Sequence, residues 1–268
     1  MWIEYKRFEK PETDIYCQAY TAYGNTGYDV YLISGNVNYD WPDKNKVRTH
    51  LVYDCMTNEM KVSELPECTH YLHEGKLYST DHEWINSKPY SRFFIDGVLV
   101  GKYLVESALD RTLFRDRGQW VIYVRKPIHE PDNLAVMFSK DFINWTPPQD
   151  VNLRTDENER VYMFNAFKIG EQWYGIANML GLSDYSAKPI LCEGDDPFNF
   201  EQVCELDFSE QFQSFGNIVI KDDTVWLTTI EVDREHTTLA NIQQVKEKPY
   251  FSRILYCNVE DFKKQYLR

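Results

Sequence analysis

The sequence predicts an all-β protein built from five similar units. Two intervals of 53 residues separate Trp120, Trp173 and Trp226, and 268 residues divided by five gives about 54 for each unit. Tyrosine (19 residues) and phenylalanine (15 residues) dominate the aromatic content, and this bias favours strands over helices. Spacing and composition together predict a single five-bladed β-propeller over residues 1–268, with four antiparallel strands in each blade around a central funnel.

The residues around each tryptophan follow one pattern of apolar strand, polar turn and aromatic strand. Phe114, Phe167 and Ile220 each lie six residues before the tryptophan of their unit. A fourth copy is YLHEGKLYST, in which Tyr71 lies six residues before Leu77, and a looser first copy is YCQAYTAYGNTGYDVYLIS. Each copy predicts a β-hairpin that opens a blade.

A second recurring element follows the hairpins. FSKDFINW and GDDPFNF both follow apolar segments, and the intervals from Asn144 to Asn199 and from Trp145 to Phe200 are each 55 residues. This element predicts a third strand, a turn rich in Asp and Asn, and a short fourth strand. The alternative is a β-sandwich whose hairpins resemble each other by chance, which the matched intervals disfavour. The predicted blades are 14–66, 67–107, 108–152, 157–207 and 211–260.

The last blade has two unusual features. Residues 233–249 interrupt it with a polar segment of weak helical spacing, which predicts a surface loop with a helical turn or a lid. The blade also lacks a fourth strand of its own, while a strand-like segment around Trp2–Phe8 precedes the first blade. We predict that this segment pairs as the outer strand of the last blade, because that pairing closes the ring and covers a free strand edge.

Composition narrows the choice of partners. The formal net charge of −13 disfavours nucleic acids and anionic membranes. No apolar run approaches the ~18 residues that span a bilayer, and the first residues lack the apolar region of a signal peptide, so we expect a cytoplasmic protein. The six cysteines are scattered without a C-x-x-C pair, which predicts free thiols, no metal site and no cofactor.

The third unit resembles a known group of enzymes. ALDRTLFRDRGQWVIYV, followed by LAVMFSKDFINW, is similar to the blade signatures of the five-bladed glycosidases of glycoside hydrolase families 43, 62 and 32. In those families an inner strand opens with Asp-Pro, passes through a short acidic turn into an aromatic strand, and ends in a Ser-x-Asp…Trp turn. The resemblance covers most of the chain as blade architecture and is specific from Ala108 to Trp145.

The resemblance implies a glycan or other sugar-containing ligand at the central funnel. It also implies carboxylates at the start of the first, third and fourth inner strands. One carboxylate acts as base or nucleophile, one protonates the leaving oxygen, and the third tunes that acid and orients the sugar. Asp110 matches the carboxylate of the third blade, with Arg111 in the place of the usual proline.

The other two carboxylates match less closely. In blade 1 the expected position falls near Gln18–Tyr20, and the nearest acid is Asp14. In blade 4 it falls near Tyr162, and the nearest acids are Glu157 and Glu159 within RTDENER. Asp14 and Glu159 join the acid of blade 3 as candidate catalytic residues, although a turn and an exposed loop are the simpler roles for these two.

Five polar residues near the starts of the inner strands are candidate substrate-binding residues: Arg111, Gln18, Asn165, Asn217 and His70. Each has a structural alternative, since an arginine can pair with a carboxylate of the fold and a histidine can simply face solvent. Asp110 can likewise cap a turn before its strand. The repeated tryptophans are expected to pack between blades and not to stack on sugar.

Two classes of function therefore stay open. The first is a glycoside hydrolase or related carbohydrate-active enzyme. The second is a non-catalytic propeller that binds a glycan, or that acts as a protein-interaction or structural module. Only one of the three expected carboxylates matches clearly, so the sequence does not decide between them.

Overall fold

The computed structural model describes residues 2–9, 18–23, 30–37, 49–54, 59–63, 69–86, 88–104, 111–126, 134–183, 186–206, 212–215, 218–232 and 250–267. The first strands in chain order are β1 (Ile3–Glu9), β2 (Gln18–Tyr23), β3 (Val30–Val37), β4 (Thr49–Asp54), β5 (Glu59–Ser63), β6 (Thr69–His73), β7 (Lys76–Ile85), β8 (Lys88–Ile95), β9 (Val98–Leu104), β10 (Arg111–Asp116) and β11 (Gln119–Arg125). The remaining elements are β12 (Leu134–Ser139), β13 (Gln149–Asp150), β14 (Asn152–Leu153), β15 (Glu159–Ile169), β16 (Gln172–Gly181), β17 (Ala187–Gly194), β18 (Asn199–Glu205), β19 (Phe212–Phe215), β20 (Val219–Lys221), β21 (Thr224–Val232), β22 (Tyr250–Asn258) and the helix α1 (Val259–Tyr266).

In the described part of the chain these strands form five sheets, numbered here in chain order. Sheets I, II and III have the orders β2-β3-β4-β5, β6-β7-β8-β9 and β10-β11-β12-β13. Sheet IV has the order β15-β16-β17-β18-β14, and sheet V has the order β19-β21-β22-β1, with β20 also paired to β21. Neighbouring strands are antiparallel, except that β14 and β18 are parallel. Each sheet therefore contains the succession of antiparallel strands predicted for one unit.

Sheets I to IV meet one another through their first strands, and sheet V meets its neighbours through β20 and β21. β2 contacts β6, β6 contacts β10, β10 contacts β15, and β15 contacts β20. In addition, β21 of sheet V contacts β2 of sheet I. The contacts thus lead from each sheet to the next, and from the last sheet back to the first.

The first strands of sheets III and IV run side by side in the same direction. The hydroxyl of Thr112 donates to the carbonyl oxygen of Phe164 at 2.8 Å, and the ammonium of Lys168 donates to the carboxylate of Asp116 at 3.1 Å. Both pairs join residues 52 positions apart, so the two strands begin at the same end of the fold. We call this the start end, and the opposite end, where the hairpin turns follow these strands, the hairpin end.

Two-residue turns connect the paired strands at the hairpin end. Both residues have positive φ in the turns Glu74–Gly75, Arg117–Gly118 and Asp222–Asp223. Such turns match the right-handed twist of the strands they join. Arg115 of β10 hydrogen-bonds His73 of β6, so the hairpins of sheets II and III lie side by side.

The predicted turn rich in Asp and Asn recurs with the same hydrogen bonds. Asp141 accepts from the backbone N–H groups two and three residues later, at 2.9 and 2.7 Å, and Asp196 does the same at 2.8 and 2.9 Å. The side chains of Asn144 and Asn199 also donate to these carboxylates. The bonds from Asn144 hold the pKa of Asp141 well below its usual range. Partial burial opposes ionisation of Asp196, but the bonds from Phe198 and Asn199 still lower its pKa.

Among the described residues, three clusters of buried apolar side chains lie between neighbouring sheets. The first lies between sheets II and III and contains Trp120, and the second lies between sheets III and IV and contains Trp173. The third, between sheets IV and V, contains Phe262 of α1. The first two tryptophans therefore pack between sheets, as the sequence predicted.

Trp226 departs from the repeat by one position. The two earlier tryptophans are the second residue after their turns, whereas Trp226 is the third residue after Asp223. Because side chains alternate along a strand, Trp226 points to the opposite face of its sheet. There it stacks on Tyr256 with ring centroids 5.1 Å apart and meets the edge of Tyr5 at 5.5 Å. Val225 takes the buried position equivalent to the other tryptophans.

The N-terminal strand is the outer strand of the last sheet, which confirms the predicted pairing. β1 pairs with β22 in antiparallel register from Ile3 opposite Tyr256 to Glu9 opposite Phe251. Trp2 meets the edge of Phe262 at 6.0 Å. The helix α1, which the repeat did not predict, buries its apolar face against the cluster between sheets IV and V.

Residues 149–153 are shared between two sheets. β13 pairs with β12 in sheet III, and β14 pairs with β18 in sheet IV. Between these strands the N–H of Val151 donates to Leu134 at 3.0 Å, and the N–H of Asn152 donates to Phe198 at 2.7 Å. Five consecutive residues thus bind both sheets through backbone hydrogen bonds.

The predicted interruption of the last blade has a defined position. Val232 of β21 is paired with Tyr250 of β22, so the two residues that flank the interruption lie side by side. Residues 233–249 themselves lie outside the described residues.

Cys192, Cys204 and Cys257 are free thiols, as predicted, and the other three cysteines lie outside the described residues. No helix in the described ranges is long and apolar enough to cross a membrane.

Candidate functional site

Four of the candidate site residues that the structure describes lie at or near the starts of first strands. Gln18 is the first residue of β2, and His70 is the second residue of β6. Arg111 and Glu159 are the first residues of β10 and β15. Asp14, Asp110 and Asn217 lie outside the described residues. The roles assigned to these seven residues stay predictions.

The alignment of β10 with β15 shows which positions of the two strands correspond. Since residues 52 positions apart stand side by side, the β15 counterpart of sequence position 110 is Tyr162. Counting along the sequence predicted the same residue. Tyr162 is the extra residue of a β-bulge between Val161 and Met163, and bulges commonly redirect a side chain out of the regular sheet surface.

Arg125 lies over the ring of Tyr162. It is the last residue of β11, and its guanidinium carbon is 5.0 Å from the centre of the ring. Arg125 is 7% exposed, and a cation on an aromatic face is held more strongly when water is excluded. The pair is therefore a fixed, positively charged feature at the start end of sheets III and IV. The sequence signalled Arg125 only as a charge at the end of the apolar strand QWVIYVR.

Glu159, the first residue of β15, makes an ion pair. Its carboxylate lies 3.1 Å from the ammonium of Lys188 on β17. Glu159 precedes Tyr162 by three residues, which corresponds to about 10 Å along an extended strand. Its carboxylate therefore belongs to a charged pair beyond the position expected for the blade 4 acid.

Asn165 is buried in the interior of β15. It pairs in register with Ile176 and is 1% exposed. Asn178, on the neighbouring β16, is buried in the same way. The two amides are thus polar groups in the interior of sheet IV.

The described thiols are poor nucleophiles. Burial raises the pKa of Cys192 to about 12 and that of Cys257 to about 12, and it also raises the pKa of Cys204. A thiol reacts as its thiolate, so such groups stay inert at neutral pH. Among the described residues no group of three or more His, Cys, Asp and Glu side chains converges on a metal position.

Tyr162 and Arg125 bring an aromatic ring and a guanidinium to the start end. An aromatic ring offers a flat face, and a guanidinium donates several hydrogen bonds in a fixed plane. A phenol is a weak proton donor at neutral pH, since its ordinary pKa is about 10. General-acid catalysis at the counterpart of position 110 would need a carboxylic acid, and Tyr162 stands there.

No protein-family model matches the chain, and no curated protein matches it. Solved structures do match over most of its length. The GH43_1 enzyme from Xanthomonas citri, solved with xylose, has a TM-score of 0.63 at 12% identity, covering 93% of this chain and 89% of that chain. This chain shares its fold with that enzyme. The GH93 α-L-arabinofuranosidase of Fusarium graminearum, solved with arabinobiose, has a TM-score of 0.61 at 8% identity, covering 97% of this chain and 99% of that chain.

A third similar structure is a variant of the Bombyx mori GH32 β-fructofuranosidase solved with sucrose. It has a TM-score of 0.59 at 14% identity and covers 88% of this chain. The chain spans only 59% of that enzyme's length. The predicted resemblance to five-bladed glycosidases is confirmed at the level of the fold, and identities this low carry no activity with them.

Proposed function

We propose that this protein is a five-bladed propeller that binds a glycan at the start end of its first strands and does not hydrolyse it by the two-carboxylate mechanism. The five sheets are its blades, and the contacts between their first strands form the wall of a central channel. Sugar binding is inferred from the likeness to glycosidases that were solved with sugars. The absence of hydrolysis is inferred from the chemistry of the described residues at the start end.

The observation that carries the proposal is Tyr162 at the counterpart of position 110. Two-carboxylate hydrolysis needs an acid and a base or nucleophile about 5–10 Å apart. The nearest described acid, Glu159, is held by Lys188 beyond that position. A ring at this place retains a surface for a sugar while removing the proton donor.

Arg125 gives that ring a fixed orientation. The guanidinium covers one face of Tyr162 and holds the ring in place at the start end, where a sugar would meet it. Sugar rings pack their C–H faces on aromatic rings, and hydroxyls hydrogen-bond readily to planar guanidinium groups.

The test is a binding screen run beside an activity screen. Xylo-, arabino- and fructo-oligosaccharides are titrated by calorimetry, and aryl furanosides and pyranosides are assayed for hydrolysis. We expect binding without turnover. Tyr162→Ala should weaken binding at least about tenfold, whereas Tyr162→Phe should retain most of the affinity because it keeps the ring.

Arg125→Gln should also weaken binding, while Arg154→Gln, which removes an exposed charge at the outer edge of sheet IV, should not. Turnover that disappears in Asp110→Asn would overturn the non-catalytic part of the proposal and restore the hydrolase reading. Absence of binding to every glycan would favour the protein-interaction alternative.

A further inference from the structure

The boundary between sheets III and IV is open at the hairpin end. The cleft there has a volume of about 440 Å³, which lies within the usual range of small-molecule sites. Its apolar lining consists of Val121, Phe138, Trp173 and Pro197, and charged groups form its rim. The cleft is at the opposite end of the sheets from Tyr162, so it is separate from the proposed sugar site.

The neighbouring boundary between sheets II and III shows what fills the equivalent space. There the residue equivalent to Trp173 is Trp120, and two aromatic rings pack on it. The ring of Tyr78 lies 4.2 Å from that of Trp120, and the ring of Phe142 lies 4.9 Å away. Phe142 is completely buried, so this boundary is closed.

The repeat replaces both of these rings at the boundary of sheets III and IV. Val121 corresponds to Tyr78, because each is the third residue after its two-residue turn. Pro197 corresponds to Phe142, because each follows the aspartate of the recurring turn. Phe142 has a φ of 66°, whereas proline is restricted to a φ near −65°, so position 197 also lacks the backbone conformation that directs a ring inward.

The charges on the rim leave one carboxylate for a ligand. Lys168 pairs with Asp116, and Arg117 pairs with Glu171 across the tips of the two hairpins. Among the residues that the structure describes, the carboxylate of Asp195 makes no hydrogen bond or ion pair. The rim therefore retains one negative charge beside the space between Val121 and Pro197, where the neighbouring boundary holds two aromatic rings.

We propose that this cleft binds a small molecule that combines an aromatic ring with an ammonium group. The ring occupies the space between Val121 and Pro197, beside the edge of Trp173. The ammonium lies next to Asp195, and the amide of Gln119 on the opposite wall is within the same cleft. This site is independent of the sugar site at the start end.

The experiment compares three probes by calorimetry on the full chain. Tyramine carries the ring and the ammonium, p-cresol carries the ring alone, and D-xylose carries neither. We expect tyramine to bind more tightly than p-cresol. Val121→Tyr restores one of the missing rings and should weaken tyramine at least about tenfold, without changing any response to xylose.

Asp195→Asn tests the contribution of the ligand's ammonium group separately from that of its ring. It should weaken tyramine to the level of p-cresol and leave p-cresol unchanged, while Asp156→Asn, an exposed acid at the start end, should affect neither probe. Tyramine affinity that survives both Val121→Tyr and Asp195→Asn would overturn the proposal, as would the absence of tyramine binding. If Val121→Tyr does not fold, the ratio of tyramine to p-cresol affinity in Asp195→Asn decides alone.

Discussion

Truncation of Phe142 to alanine tests how sheets II and III are held together. Its ring has no exposed surface. The ring centroids of Tyr78, Phe93, Trp120 and Trp145 lie 4.9, 5.5, 4.9 and 5.6 Å from it. The substitution therefore leaves a cavity among these rings that they cannot easily fill.

The expected loss follows from burial and geometry. Truncating a buried phenylalanine to alanine costs about 3–5 kcal/mol, because the transfer of the ring and the remaining cavity both contribute. The positive φ at this position remains in the alanine variant, so the change relieves no backbone strain. We expect the free energy of unfolding to fall by about 4 kcal/mol, which corresponds to a Tm lower by roughly 8–16 °C for a chain of this size.

The assay is urea unfolding followed by tryptophan fluorescence, with circular dichroism as a second probe. Ile143→Ala is the matched control, because it removes an apolar side chain of similar size from the next residue, where the side chain is 41% exposed. Its effect should stay within about 0.5 kcal/mol. A loss below about 1 kcal/mol for Phe142→Ala, or equal losses for the two variants, would refute the reasoning.

Three further predictions follow from the fold. Deleting residues 2–9 removes β1 and should lower the Tm markedly by circular dichroism, because it exposes the edge of β22; an unchanged melting curve would show that this strand does not close the last sheet. Gly175→Ala should lower the free energy of unfolding by about 1–3 kcal/mol, because its new Cβ would lie 2.2 Å from the Phe164 ring, and Phe164→Leu should recover part of the loss. If Phe164→Leu recovers nothing, the ring is not the obstacle. Asp196 has a lowered pKa in the folded state, so its stabilisation is complete above the unfolded pKa of about 3.9 and disappears as the pH falls through the folded pKa. The Tm difference between wild type and Asp196→Asn should therefore be constant above about pH 5 and shrink in acid.

The repeated hairpins could be predicted because their cause is local. A two-residue turn needs residues that tolerate positive φ, and Gly118 after Arg117 supplies one within a polar segment between two apolar strands. The turn around Asp141 is local in the same way, since its carboxylate accepts bonds from residues two and three positions later. Such features leave a fixed spacing in the sequence.

The start end could be predicted only in part because it depends on bonds between sheets. The counterpart of position 110 was found by counting, but the bulge that contains Tyr162 and the guanidinium of Arg125 above it have no spacing signal. Trp226 shows how a matching interval can mislead. Its 53-residue spacing fits the repeat, but its turn ends one residue earlier relative to the tryptophan, so the side chain lies on the other face of the sheet. An interval in the sequence counts only the residues between two positions. The face to which a side chain points depends on whether it stands at an odd or an even position after the turn.

β1 can pair with β22 only after nearly all of the chain has been synthesised. Ile3 and its partner Tyr256 are separated by 253 residues, so at about 5–20 residues per second a ribosome takes roughly 13–50 s to make the second after the first. Throughout that interval the N-terminal strand has no partner, although the first four sheets can form in order behind it. A chaperone that occupies extended segments, or another nascent chain on the same message, therefore competes with the protein's own final strand.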